Sequence, residues 1–237
     1  MSNKKEELEK LLKEWHKEIS DNDVIEGSLF NYDGFVCDNP EDFDGTLIIA
    51  KDSQMDDQRQ AAQNGIYTIS EEPYFWTKKA ILEGKDTSKP HLLYKYAILH
   101  TCAEYCIKNK AIQVPVGKYG EIEATKNNFK SILKNIAFMN LKKTGGLIQD
   151  SEEDAKVVEW AKEKNNKDNI IKEIGIISPK KVIICGINPF FYENVAEIVK
   201  KAEEKYHFKT DIFISYHASY VQSYVFFIEN FRRIERS

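Results

Sequence analysis

No two cysteines in this chain are two residues apart. The four that exist, Cys37, Cys102, Cys106 and Cys185, lack the spacing of a zinc ribbon or an iron–sulfur cluster. No run of about eighteen uncharged apolar residues is present, so nothing in the sequence reads as a bilayer span. The first residues, Met1-Ser2-Asn3-Lys4-Lys5-Glu6-Glu7, are charged and lead into no apolar stretch of the secretory kind. A cytoplasmic protein with reduced, buried thiols is therefore expected. Glycine (11 residues) and proline (6) are scarce among 237, which excludes collagen-like and low-complexity descriptions of the whole chain. Excess positive charge is missing too. The formal net charge is −4, so binding to nucleic acid through bulk charge is excluded and any such role requires a local basic patch.

What is present is ordinary globular material, with 42% hydrophobic and 30% charged residues. That supplies a real core, and the length favours one domain spanning residues 1–237 with a helical extension over about 1–30. Charge is unevenly distributed. Eleven acidic residues lie between Asp21 and Arg59 against Lys51 and Arg59, whereas eight lysines between Ile107 and Lys143 face only Glu121 and Glu123. The lysine run reads either as a solvated surface or as a strip facing phosphates.

Leu8, Leu11, Leu12, Trp15 and Ile19 follow a 3.6-residue period and predict a first helix, ended by Asp21-Asn22-Asp23. Residues 31–45 read as loop. Thr46–Ala50, Ile136–Met139, Val182–Cys185 and Ile212–Ile214 are continuous apolar runs, the pattern of strands covered on both faces. Helical segments are expected over about 73–109 with an interruption near 86–90, 151–174 with a break at Asn165-Asn166, and 194–205. Strands alternating with helices predict an α/β fold, a three-layer αβα sandwich around a central four-stranded, mainly parallel sheet. In such sheets ligands bind beyond the carboxyl ends of the strands. Three of the four strands lead there into residues of catalytic type, namely Asp52, Asn140 and His217. Each has a structural alternative as helix cap, turn former or loop histidine; the convergence of all three is the functional signal.

This series of strand ends resembles the uracil-DNA glycosylase superfamily. Leu47-Ile48-Ile49-Ala50-Lys51-Asp52 is similar to its first motif, which implies Asp52 as the catalytic carboxylate working on water and Lys51 beside the base. Gly65-Ile66-Tyr67 matches the aromatic that stacks on the extruded base, and Phe138-Met139-Asn140 the asparagine that reads the base edge. His217-Ala218-Ser219 resembles the last motif, whose histidine stabilises the departing base; Tyr220 and Val221 then stand where an intercalating loop is expected. Gly186-Ile187-Asn188-Pro189 looks like another branch's first motif but follows the third strand, and reads as a turn opening a helix.

The resemblance implies a hydrolase without cofactor or metal that removes uracil or a related deaminated or damaged base from single- or double-stranded DNA, as a monomer. Lys142, Lys143, Ser219, Tyr220 and Val221 are the implied nucleic-acid contacts. The alternative is a catalytically silent base- or nucleic-acid-binding protein of the same fold, favoured by the acidic charge and by Ser53, Gln54 and Ala218 at altered motif positions. Hydrolysis of a free nucleoside or nucleotide is a third possibility.

Overall fold

The computed structural model describes residues 4–22, 30, 32–51, 90–143, 153–218, 220 and 222–235. Among the described residues, six strands form one sheet: β1 (Gly34–Phe35), β2 (Thr46–Ala50), β3 (Ala137–Asn140), β4 (Lys181–Cys185), β5 (Asp211–Ser215) and β6 (Arg232–Arg233). Their spatial order is β1-β3-β2-β4-β5-β6, with the four inner strands parallel and the two edge strands antiparallel to their neighbours. The fold is thus α/β as the sequence predicts, but the sheet is mixed and six-stranded rather than four-stranded. The additional strands have two residues each, too few to leave a periodic signal. They cover the edges of the parallel core that would otherwise offer unpaired backbone.

Alternation along the inner strands explains why their sequences are apolar throughout. Leu47, Ile49, Met139, Val182, Ile184, Ile212 and Ile214 point to one core, and Ile48, Ala50, Phe138, Ile183, Cys185 and Phe213 to the other. The first core is closed by α1 (Lys4–Asn22), α5 (Glu153–Lys162), α6 (Lys164–Ile177) and α7 (Pro189–Tyr206). The second is closed by α2 (Pro90–Asn109), α3 (Tyr119–Glu123), α4 (Phe129–Leu133) and α8 (Tyr224–Glu229). Fully burying each Leu, Ile or Val is worth about 1.5–3 kcal/mol, so the two cores together outweigh any single polar contact described below. All four cysteines are free and buried, with Cys102 and Cys106 on one face of α2 in the second core.

Local chemistry sets the helix ends. α1 runs to Asn22 and docks on the first core through fully buried Leu8, Leu12 and Trp15. The helix expected over 151–174 is two helices, and the break falls at Glu163 rather than at Asn165-Asn166. Asn166 sits inside α6 because all its amide atoms are used across the junction. Its Nδ2 donates to the Trp160 carbonyl and to Glu163, and its Oδ1 accepts from Trp15 Nε1 at 3.0 Å. The Gly186-Ile187-Asn188-Pro189 turn opens α7, with the Asn188 side chain accepting from the Phe190 N–H and Pro189 in the first turn. Glycine is required at 186 because a Cβ there would lie 2.5 Å from the Phe191 ring.

Candidate functional site

Charged and polar side chains gather at both ends of the sheet. At the amino end His100 Nε2 lies 2.6 Å from Asp44 Oδ2, Lys181 pairs with Glu104 and Arg233 with Asp211. At the carboxyl end β3 lies on one side of β2 and β4 on the other, so the strand order reverses there. Such a reversal is the place at which open α/β sheets hold their ligands.

Lys51 follows β2 directly into this region. Its carbonyl accepts from the Lys142 N–H at 2.9 Å, and Leu141 N–H bonds Ala50 at the same distance, so β2 and β3 stay joined past the strand ends. The Lys51 ammonium is mostly buried, pairs with Asp154 in the first turn of α5, and lies 5.7 Å from the centre of the Phe191 ring. His217 leaves β5 two residues after Ser215. Burial, then the positive charge of Lys51, hold its pKa down at about 4; Asp154 opposes and Lys95 adds to the lowering. The imidazole is therefore neutral at physiological pH. Lys95, on α2, donates to the Tyr220 carbonyl and stands 4.5 Å over the Phe227 ring, and its own pKa is lowered by burial.

The structure thus brings Lys51 and His217 together and adds two residues that the motifs did not nominate. Asp154 carried only the signal of a helix start, and Lys95 carried none, being one of two lysines in a helix that also holds Glu104. Asn140 is the last residue of β3, in register with Ala50 on the face that α2 covers; it is 4% exposed and its N–H donates to Asp33 Oδ2 at 2.5 Å. Lys142 is partly exposed beside Lys51. Asp52, Tyr67, Ser219 and Val221 lie outside the described residues.

Lys143 corrects the sequence expectation. It is fully buried, and its ammonium is held between Asp33 and Glu173, with Glu173 Oε2 at 2.8 Å. A side chain enclosed in this way is not placed to touch a phosphate. Most of the remaining lysine run (Lys108, Lys110, Lys118, Lys130 and Lys134) is exposed, and Lys118 pairs with Glu121 at 3.0 Å. Among the described residues, no helix is long and apolar enough to cross a membrane, and no group of three or more His, Cys, Asp and Glu side chains could hold a metal ion.

Comparison with protein-family models, curated proteins and solved structures finds no match to this chain.

The lowered pKa of His217 has a consequence for stability. The folded protein holds the imidazole neutral down to pH about 4, whereas the unfolded chain protonates it near 6.5. The stability it carries is present above pH 6.5 and is lost as pH falls through that window, because the unfolded state then binds more protons. The loss amounts to at most about 3 kcal/mol, less what solvent screens at a residue that is partly exposed as a whole. The neutral variant His217→Gln is expected to lack this component. Denaturant unfolding of variant and wild type at pH 7 and pH 4 measures it, and a difference between the two proteins that is the same at both pH values counts against a neutral, buried imidazole.

Proposed function

We propose that this protein receives an extruded deaminated or damaged base of DNA at the carboxyl end of its parallel strands and hydrolyses its N-glycosidic bond. One observation carries the reading. The surroundings that keep His217 neutral, namely burial with Lys51 and Lys95 close by, are those that stabilise a departing base anion. N-glycosidic cleavage leaves negative charge on the base and positive character on the sugar. Two fixed ammonium groups and an imidazole N–H, arranged before the reaction in a poorly solvated site, oppose the first charge without reorganising. Asp52, immediately after Lys51, is assigned the water and the sugar cation. Asn140 is assigned the base edge, since an amide offers donor and acceptor at once. Lys142 is assigned a phosphate, which positions the strand without reading its sequence. The reading includes a monomeric cytoplasmic protein whose parallel core is the centre of the glycosylase-type three-layer sandwich.

The alternative of a silent base-binding protein also has a specific observation behind it. The Lys51 ammonium already has a carboxylate partner in Asp154, which neutralises part of the field that the chemistry would use.

Oligonucleotides carrying a single uracil, hypoxanthine or xanthine separate the two readings. Incubation followed by hot alkali is expected to break the strand at the modified position, where base release leaves an abasic site. Tight binding to the modified strand with no breakage makes the silent reading correct. Neither breakage nor preferential binding removes both.

A further inference from the structure

Three aromatic rings are gathered beside the His217 site. Tyr216, which precedes the histidine, Tyr220, three residues after it, and Phe226 of α8 form one cluster. Tyr220 lies 5.3 Å from Tyr216 at 28° and 6.2 Å from Phe226 at 21°, while Tyr216 and Phe226 are 4.5 Å apart. The Tyr220 ring is backed by near-parallel neighbours yet is 49% exposed. Its main chain is fixed as well. The Tyr220 carbonyl accepts from Lys95, its N–H bonds the His217 carbonyl at 3.0 Å, and the Gln222 N–H closes onto Tyr220 at 2.9 Å. The cation tied to this cluster is Lys95, through its bond to the Tyr220 carbonyl.

A residue that wedges into a duplex must project from its loop into the base stack. Tyr220 instead lies against two other rings at small interplanar angles while half of it remains exposed. A flat, rigid aromatic face with a cation beside it suits an unpaired base, which stacks through its π surface whatever its identity. The charge argues the same way. Duplex binding draws its affinity mainly from neutralised phosphates, and at the site itself Lys143 is buried between carboxylates, Lys51 pairs with Asp154 and Lys95 donates to the Tyr220 carbonyl. Stacking needs few cations.

We infer that Tyr220, backed by Tyr216 and Phe226, is a stacking platform for an unpaired base next to the one held at His217, and that the protein's partner is single-stranded rather than duplex nucleic acid. This inference rests on the proposed function for the location of the reacting nucleotide, but its test does not, because an unmodified strand has no base to lose.

Fluorescence anisotropy of a labelled, unmodified twelve-nucleotide strand, free or annealed to its complement, measures the preference with the full-length protein. The single strand is expected to bind about tenfold or more tightly than the duplex. Tyr220→Ala is expected to weaken single-strand binding by about 5- to 100-fold, the cost of losing one base–aromatic stack, with little change for the duplex. Tyr220→Phe, which keeps the ring and loses the hydroxyl, is expected to bind within about twofold of wild type. Circular dichroism melts confirm that both variants fold. Equal affinity for the two forms, an unchanged Tyr220→Ala, a Tyr220→Phe as weak as the alanine variant, or no binding at all each overturns the platform. A protein that releases bases but ignores Tyr220→Ala keeps the proposed function and loses the platform. One that loses single-strand binding with Tyr220→Ala but never releases a base keeps the platform and loses the chemistry.

Discussion

Lys143→Met is expected to destabilise the protein by about 3–5 kcal/mol, the cost of removing the cation from a buried ion cluster and leaving its carboxylates behind. The ammonium stands between Asp33 and Glu173, and its pKa stays high because those two carboxylates outweigh the burial that would lower it. Burial pushes the Glu173 carboxyl well above its usual range; Asp33 pushes it further, and Lys143 is the opposing charge. Methionine fills the stem of the lysine but leaves two carboxylates facing each other in the first core. A group whose pKa is raised by folding costs nothing below its unfolded value and costs stability as pH rises above it. The loss caused by Lys143→Met is therefore expected to be largest at pH 7 and to shrink toward pH 4. Adding Glu173→Gln should recover part of it, since one of the facing charges is then gone. Urea unfolding of the wild type, the single and the double variant at both pH values measures this. A loss below about 1 kcal/mol would place the triad with surface ion pairs, which are worth that little.

The same residue shows how composition can mislead. Eight lysines in a row of thirty-odd residues look like one surface, but a run in sequence is not a surface in space. Lys143 lies three residues past β3, where the chain still runs through the interior, and its partners arrive from a loop more than a hundred residues earlier and from α6. Burial of a lysine is decided by such distant partners, and no window of sequence contains them. The four inner strands were legible for the opposite reason. A strand covered on both faces must be apolar at every position, so Thr46–Ala50 announces its environment without reference to anything else. The edge strands Gly34–Phe35 and Arg232–Arg233 could not be read in this way. They exist through pairing with β3 and β5, and their own residues carry no β signal.

The site divides along the same line. His217 and Asn140 stand out because polar residues end apolar strands, and the parallel topology then places those ends together. Lys95 and Asp154 reach the same region from helices on opposite faces of the sheet. Their presence depends on how those helices pack, and a lysine on α2 or an aspartate in the first turn of α5 reads locally as a solvated or capping residue. Sequence thus pointed to the strand-borne part of the site and missed the helix-borne part, including both groups that flank the strand residues with charge.

Those two sets of residues can be separated by replacing carboxylates. If base release is observed, Asp52→Asn is expected to slow it by about 100- to 10,000-fold, the range lost when a positioned acid–base group is removed. Affinity for the modified strand should remain nearly unchanged, because a carboxylate opposite a developing sugar cation assists the transition state far more than the bound substrate. Asp154→Asn is the matched comparison. Its carboxylate pairs with Lys51 and raises the His217 pKa, so its removal leaves both lysine charges acting on the imidazole and keeps the ring neutral. Release by Asp154→Asn is therefore expected to stay within about tenfold of wild type, a change in field rather than the loss of a reacting group. Single-turnover rates on a uracil-containing strand, measured together with its dissociation constant, distinguish the two. An Asp154→Asn variant as slow as Asp52→Asn is expected to be would move the catalytic carboxylate from the end of β2 to the start of α5. The Lys51–Asp154 pair would then be part of the reaction, and the assignment of Asp52 would fail.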